Sequence, residues 1–242
     1  MTTIIETHPY NLRETIPDET RLLLVGTAPP PRFSNPACGG MRGYDFDFFY
    51  GSEDNYMWEF LENIAEEIQQ KKLFAEGASS EQCCDAARVF LRRYKLWMCD
   101  VLQRYQRKAG KGTSASDADI DPPALTDCTD FRSIIASHSC LNAIAFTSEK
   151  AAEWTFQKLG GSELDRYKKV LPEWRKIEKN VPLEEYASRK YQQAVLQHRI
   201  EQQDINFYIL PSPTGRSQMK GLCTKEKQKI YKYVLFTKGP TK

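Results

Sequence analysis

The segment YDFDFFYGSEDNYMW (Tyr44–Trp58) gathers the side chains best suited to hold a flat, hydrogen-bonding ligand. Seven aromatic rings alternate there with Asp45, Asp47, Ser52, Glu53, Asp54 and Asn55. Most of those rings belong in a core. Burying the whole stretch would strand its polar groups, so part of it must border a wet pocket, where a ring face can stack on a heterocycle. Phe49 and Tyr50 are the candidate ligand-binding rings. Asn55 follows them, and its amide offers one acceptor and two donors, enough to read a carbonyl beside an N–H. It is equally placed to cap the helix that follows it, and one residue can do both.

A second constellation is LPSPTGRSQ (Leu210–Gln218). Two prolines, a glycine, two serines and an arginine in nine positions are more than a strand-to-helix turn requires. A loop so stiff and polar suits contact with something outside the protein, which makes Ser212, Pro213, Thr214, Gly215, Arg216, Ser217 and, just beyond, Lys220 candidate binding residues. From Asp204 to Lys242 eight basic residues face only Asp204 and Glu226. Such a run is either a solvated helix face or a surface for phosphates. A third loop, VGTAPPP (Val25–Pro31), matches neither a P-loop nor a dinucleotide fingerprint. Its three prolines stiffen the exit from a strand and leave the amides of Thr27 and Ala28 to face a ligand.

The elements that must position these groups follow from hydrophobic periodicity. RLLLVGTA (21–28), YKLWMCDVL (94–102), LNAIAFTS (141–148) and INFYILP (205–211) read as strands, the first buried on both faces. Helical patterns lie at Asn55–Phe74, at Thr129–His138, at Ser148–Leu159 behind a serine cap, and at Thr224–Phe236. Strands alternating with helices predict a three-layer α/β/α sandwich around a mostly parallel four-stranded sheet. Residues 107–127 read as a long loop, and about 159–203 as a helical insertion within one domain spanning 1–242. Ligands of open parallel sheets bind beyond the carboxyl ends of the strands, which brings the loops after the first and fourth strands to one rim.

The bulk numbers narrow the classes. The chain has 242 residues, 40% apolar and 27% charged, with a net charge of +2, so it has enough apolar residues for a full core and is not disordered. No run approaches the roughly 18 apolar residues of a membrane span, and no secretory signal opens the chain, so the expected location is cytoplasmic, nucleoid-associated if the source is bacterial. Seven cysteines without C-x-x-C spacing and three scattered histidines predict free thiols and no metal. No cofactor is implied, and a monomer is the expected state.

The order HPY, RLLLVGTAP, YGSEDNYMW, CDVL, SDADI, IAFTSEKA and LPSPTGRS resembles the uracil-DNA glycosylase superfamily, nearest to its branch that removes hypoxanthine from DNA. The resemblance runs from His8 to about Ser217, apart from the 159–203 segment. It implies a DNA base-excision glycosylase acting on damaged duplex, with single strands also possible. Asn55 matches the branch's catalytic asparagine, Tyr50 its base-stacking ring, Asp117 an aspartate that would serve catalysis, and Ser212–Ser217 the loop that enters the minor groove. Departures are present. Ala28 stands where relatives acting on mismatched uracil carry asparagine, Gly51–Asp54 replaces Ala-His-Pro, and Cys99 replaces a tryptophan. A chain that kept the fold as a nucleic-acid or protein binding module is the alternative.

Overall fold

A computed structural model describes residues 4–177, 182–214 and 222–237. Its centre is a five-stranded sheet in the order β3-β2-β5-β7-β6. Strands β2 (Leu22–Gly26), β3 (Leu96–Asp100), β5 (Ala143–Phe146) and β7 (Gln203–Ile209) run parallel. These are the four strands expected from the apolar runs. β6 (Leu196–Ile200) adds an antiparallel edge beside β7, inside a segment that reads as helical in sequence. Its burial follows an in-out pattern ending in buried Ile200, and polar Gln197, His198 and Arg199 conceal that pattern in the sequence. Every residue of β2, β3 and β5 is buried. Because side chains alternate between faces, both faces are covered by helices.

Those helices arise from local signals. α1 (Pro31–Ser34) is one turn begun by a proline, which costs nothing at a first helical position. α2 (Met57–Gln69) turns Met57, Trp58, Phe60, Leu61, Ile64 and Ala65 inward. α3 (Ser80–Arg93) is entered through a reciprocal capping box between Ser79 and Gln82. Asp130 caps α4 (Phe131–Ser137) and Ser148 caps α5 (Glu149–Leu159), each accepting from the third amide onward. α6 (Gly161–Lys176), α7 (Leu183–Tyr191) and α8 (Thr224–Lys232) complete the set, and Tyr233–Thr237 closes the described chain as a π-turn. A separate two-stranded sheet pairs β1 (Ile5–Thr7) with β4 (Arg104–Gln106).

Strand register is the feature that places the site. Gly26 pairs with Asp100, Val25 with Phe146, and Phe146 with Ile209. The carboxyl ends of all four parallel strands therefore reach the same level, and the loops leaving them share one rim.

Candidate active site

A tight turn sets Tyr50 over the end of β2. Phe46 N donates to Gly51 O, Gly51 N to Phe48 O, and Tyr50 takes a φ of 56°, a left-handed conformation that is unusual for a bulky residue. Gly51 is required here, since a Cβ would stand 2.1 Å from Phe46 O. Tyr50 is half-buried, and its hydroxyl lies 3.1 Å from Thr147 Oγ1. Burial and the nearby Asp100 carboxylate hold the Tyr50 pKa well above that of an ordinary phenol, so its proton stays on. Gly26 is squeezed beneath: a Cβ there would meet Asp100 Oδ1 at 2.2 Å and Tyr50 Oη at 2.4 Å.

Asp100 is anchored from the other side by His8. His8 Nδ1 accepts from Tyr10 N at 3.1 Å and Asn11 N at 3.0 Å, so the ring proton sits on Nε2, which donates to Asp100 Oδ2 at 2.8 Å. Both side chains are buried. Asn11 Nδ2 and Thr129 Oγ1 donate to Asp100 O, and Asp100 N donates to Asn11 Oδ1. The carboxylate at the end of β3 is thus fixed in place.

Asp117 reaches the same rim from the 107–127 loop. Thr27 Oγ1 donates to its Oδ2 at 2.7 Å, and Ser148 Oγ does so at 3.3 Å. Among the described residues nothing bonds Asp117 Oδ1. Burial raises its pKa, Thr27 and Ser148 pull it back, and Asp100 pushes it up again. Buried Arg107 holds this corner, donating to Glu6 Oε1 at 3.0 Å, Ser114 O at 2.6 Å and Pro29 O at 3.0 Å.

Asn55 stands against the loop that leaves β7. It forms an antiparallel bridge with Thr214, and Tyr56 N donates to Pro213 O at 2.9 Å. Asn55 Oδ1 accepts from Met57 N at 2.9 Å, fulfilling the capping role at the start of α2. Its Nδ2 has no partner among the described residues, so two donors remain for a ligand. Ser212 and Thr214 are half-exposed and their hydroxyls lie 3.1 Å apart.

The candidates do not all meet. Tyr50, Asn55, Asp117, Thr27, Ala28, Ser212 and Thr214 share the rim, with Thr27 buried and Ala28 half-buried. Phe49 is different: only 1% exposed, it packs against His8, Tyr10 and Phe48 and presents no face to a ligand. Pro213 is buried as well, so it shapes the loop rather than touching what lies outside. Gly215, Arg216, Ser217 and Lys220 lie outside the described residues. Asp54, near Asn55 in sequence, points instead to Arg32 at 3.1 Å and Arg42 at 3.4 Å.

The basic helix also differs from expectation. Lys227 is buried, Lys229 lies 4.0 Å from Glu184, and Lys232 pairs with Glu67. Of the lysines on α8, Lys225 is exposed with no ion pair among the described residues, so this face is partly neutralised rather than uniformly basic. Periodicity alone did not flag His8, Asp100, Arg107 or Lys227. The available signals were HPY ahead of the first strand and an aspartate ending an apolar one.

No family model matches the chain, and neither does any curated protein. Among solved structures, the chain is similar to the solution NMR structure of a "putative Uracil DNA glycosylase" from Methanosarcina acetivorans, with a TM-score of 0.48 and 14% identity over 91% of this chain and 93% of that one. A likeness at this level fixes neither a family nor an activity.

Proposed function

We propose that the chain is a monofunctional DNA glycosylase that extrudes a deaminated base, hypoxanthine or uracil, and hydrolyses its N-glycosidic bond. One observation carries this reading. The Asn55 amide, with its Nδ2 unclaimed, is bridged to Thr214 of the stiff loop, on the same rim where Thr27 and Ser148 hold the Asp117 carboxylate.

A base inside a duplex is unreachable and must be flipped out. The proline-stiffened loop, presenting Ser212 and Thr214, would press on the strand while the base enters beside Tyr50. As the C1′–N bond breaks, positive charge grows on the sugar and negative charge on the base. The Asn55 Nδ2 hydrogens and backbone donors at Thr27–Ala28 would meet the base anion, which is electrostatic preorganisation. Asp117 Oδ1 would face the sugar cation and orient the attacking water. Water adds to C1′, its proton is released, and the base leaves carrying the bonding pair and is then protonated. No covalent lysine takes part.

The test is incubation of the purified chain with oligonucleotides bearing uracil, hypoxanthine, xanthine or ethenocytosine, followed by alkaline strand scission. Scission at one or more lesions supports the reading. Ala28 brings no side-chain amide to the rim, which favours a second reading, a nucleic-acid binding module without turnover. Retention of duplex in a gel with no abasic product would select that reading over the first.

A further inference from the structure

Why the loop after β7 is stiff has an answer beyond its prolines. Four consecutive carbonyls are each held by a donor from a helix or from the residue that caps one. Tyr231 Oη donates to Pro211 O at 2.9 Å, Lys227 Nζ to Ser212 O at 3.0 Å, Tyr56 N to Pro213 O at 2.9 Å, and Lys227 Nζ to Thr214 O at 3.1 Å. The lysine thus clips both ends of a three-residue arch. Its side chain rises from α8, is 4% exposed, and lies beneath the arch rather than on the outer surface. An ammonium is well suited to this work. Its three donors diverge from one point, and charge-assisted bonds are about twice as strong as neutral ones. Burial lowers its pKa, the cost of drawing a cation out of water to this spot.

We infer that Lys227 is a positioning residue that fixes the height and curvature of the Ser212–Thr214 arch and so makes the site selective for base-paired over single-stranded DNA. The inference rests on the glycosylase reading and goes further by naming the substrate form. An unpaired base is already free to enter, and a slack loop still admits it. A base in a duplex must be displaced against its stack, and only a loop that does not yield can press on the strand. The arch is held from below by the cation and from the side by the start of α2, the same turn that carries Asn55. Loop height and amide position are therefore set together.

The experiment uses the full chain and two probes of identical sequence, a duplex and a single strand, each with one 2′-fluoro-2′-deoxyinosine, whose fluorine slows cleavage of the glycosidic bond so that the base stays in place. Affinity for each is measured for wild type, Lys227→Met and Lys227→Arg. Lys227→Met keeps an unbranched side chain, one atom shorter, and removes the charge. The ratio of duplex to single-strand affinity is expected to fall about tenfold or more in Lys227→Met, the size of one buried charged hydrogen bond. Lys227→Arg should restore part of that ratio. Should Lys227→Met fail to fold, Tyr231→Phe, which frees only Pro211 O, is expected to shift the ratio the same way by a smaller factor. A ratio unchanged in the variants, with wild type binding both probes, overturns the inference and leaves the glycosylase reading intact. Wild type that binds neither probe overturns both.

Discussion

The two loops of the rim are stiffened by the same means and locked by different ones. Behind each stands a buried cation that donates to its carbonyls, Arg107 for Pro29 and Lys227 for Ser212 and Thr214. Arg107 belongs to a buried ion pair with Glu6, and its fork reaches three groups in distinct directions. Glu6 in turn accepts from Ser34 Oγ at 2.5 Å, and Tyr105 donates to Ser34 Oγ at 3.0 Å, which knits the first loop to the small β1–β4 sheet. The second loop depends on two helices, α2 and α8, with a point charge under the arch. The first loop therefore reads as a fixed wall that holds Thr27 against Asp117. The second reads as a rigid arch whose height is set by one lysine, which suits a segment proposed to bear on a strand.

Breaking the first lock should have the largest effect. Arg107→Met leaves buried Glu6 without its ion-pair partner, and loss of one partner of a buried pair costs about 3–5 kcal/mol. Thermal unfolding should show it as a large drop in Tm. A change close to zero would mean that Glu6 finds other partners. The same variant should also free Pro29 and Ser114, and with them the Thr27–Asp117 contact.

Next in size is the chemistry. Asn55→Ala should lower single-turnover excision about 100- to 1,000-fold, as expected for the loss of one preorganised donor to a developing anion. Its circular dichroism should stay native, because the Met57 amide that loses the cap is a single first-turn donor.

A smaller effect is expected at Gly26. A methyl placed there collides with Asp100 Oδ1 and Tyr50 Oη, and overpacking of this kind costs about 1–3 kcal/mol. Gly26→Ala should displace the Tyr50 ring, detectable as a shift in its NMR resonances together with a lower Tm. An unmoved ring would show that the surroundings of Gly26 yield elsewhere.

The smallest expected change in stability has the opposite sign. Burial lifts the Asp117 pKa above its ordinary value of 3.8, so the folded chain holds that proton more tightly than the unfolded chain. Below pH 3.8 both states are protonated and nothing is lost. As pH rises through the raised folded pKa, the charged group becomes a net cost. Asp117→Asn keeps an acceptor for Thr27 and Ser148 and sheds the charge, so it should melt higher than wild type at pH 7. That advantage should vanish at or below pH 3.8. The variant should also excise more slowly. A gain in stability joined to a loss of rate would mark Asp117 as a residue kept for function.

The sheet was legible in the sequence because its strands are unbroken apolar runs that a parallel interior demands, as Leu22–Val25 and Ala143–Phe146 show. Asn55 and the β7 loop were legible as types in a pattern, and their meeting through the Thr214 bridge is a tertiary fact that no spacing of some 160 residues displays. α3 escaped a reading by apolar runs because only Cys84, Ala87, Phe90 and Leu91 turn inward, although Ser79 and Gln82 spell its capping box. Phe49 was misread as a ligand ring because a sequence does not say which of two adjacent rings the turn at Gly51 sends inward. Lys227 was counted with the surface charges for a similar reason. Its neighbours Lys225 and Lys229 are exposed, and only helix phase separates it from them.

The central claim is that one extruded base is held between the Asn55 amide and the Asp117 corner. The most direct measurement is single-turnover excision from a duplex carrying hypoxanthine or uracil, comparing wild type with Asn55→Ala by alkaline scission. The account predicts abasic product from wild type and a rate at least about 100-fold lower from the variant. Equal rates from the two proteins would remove Asn55 from the site and contradict it.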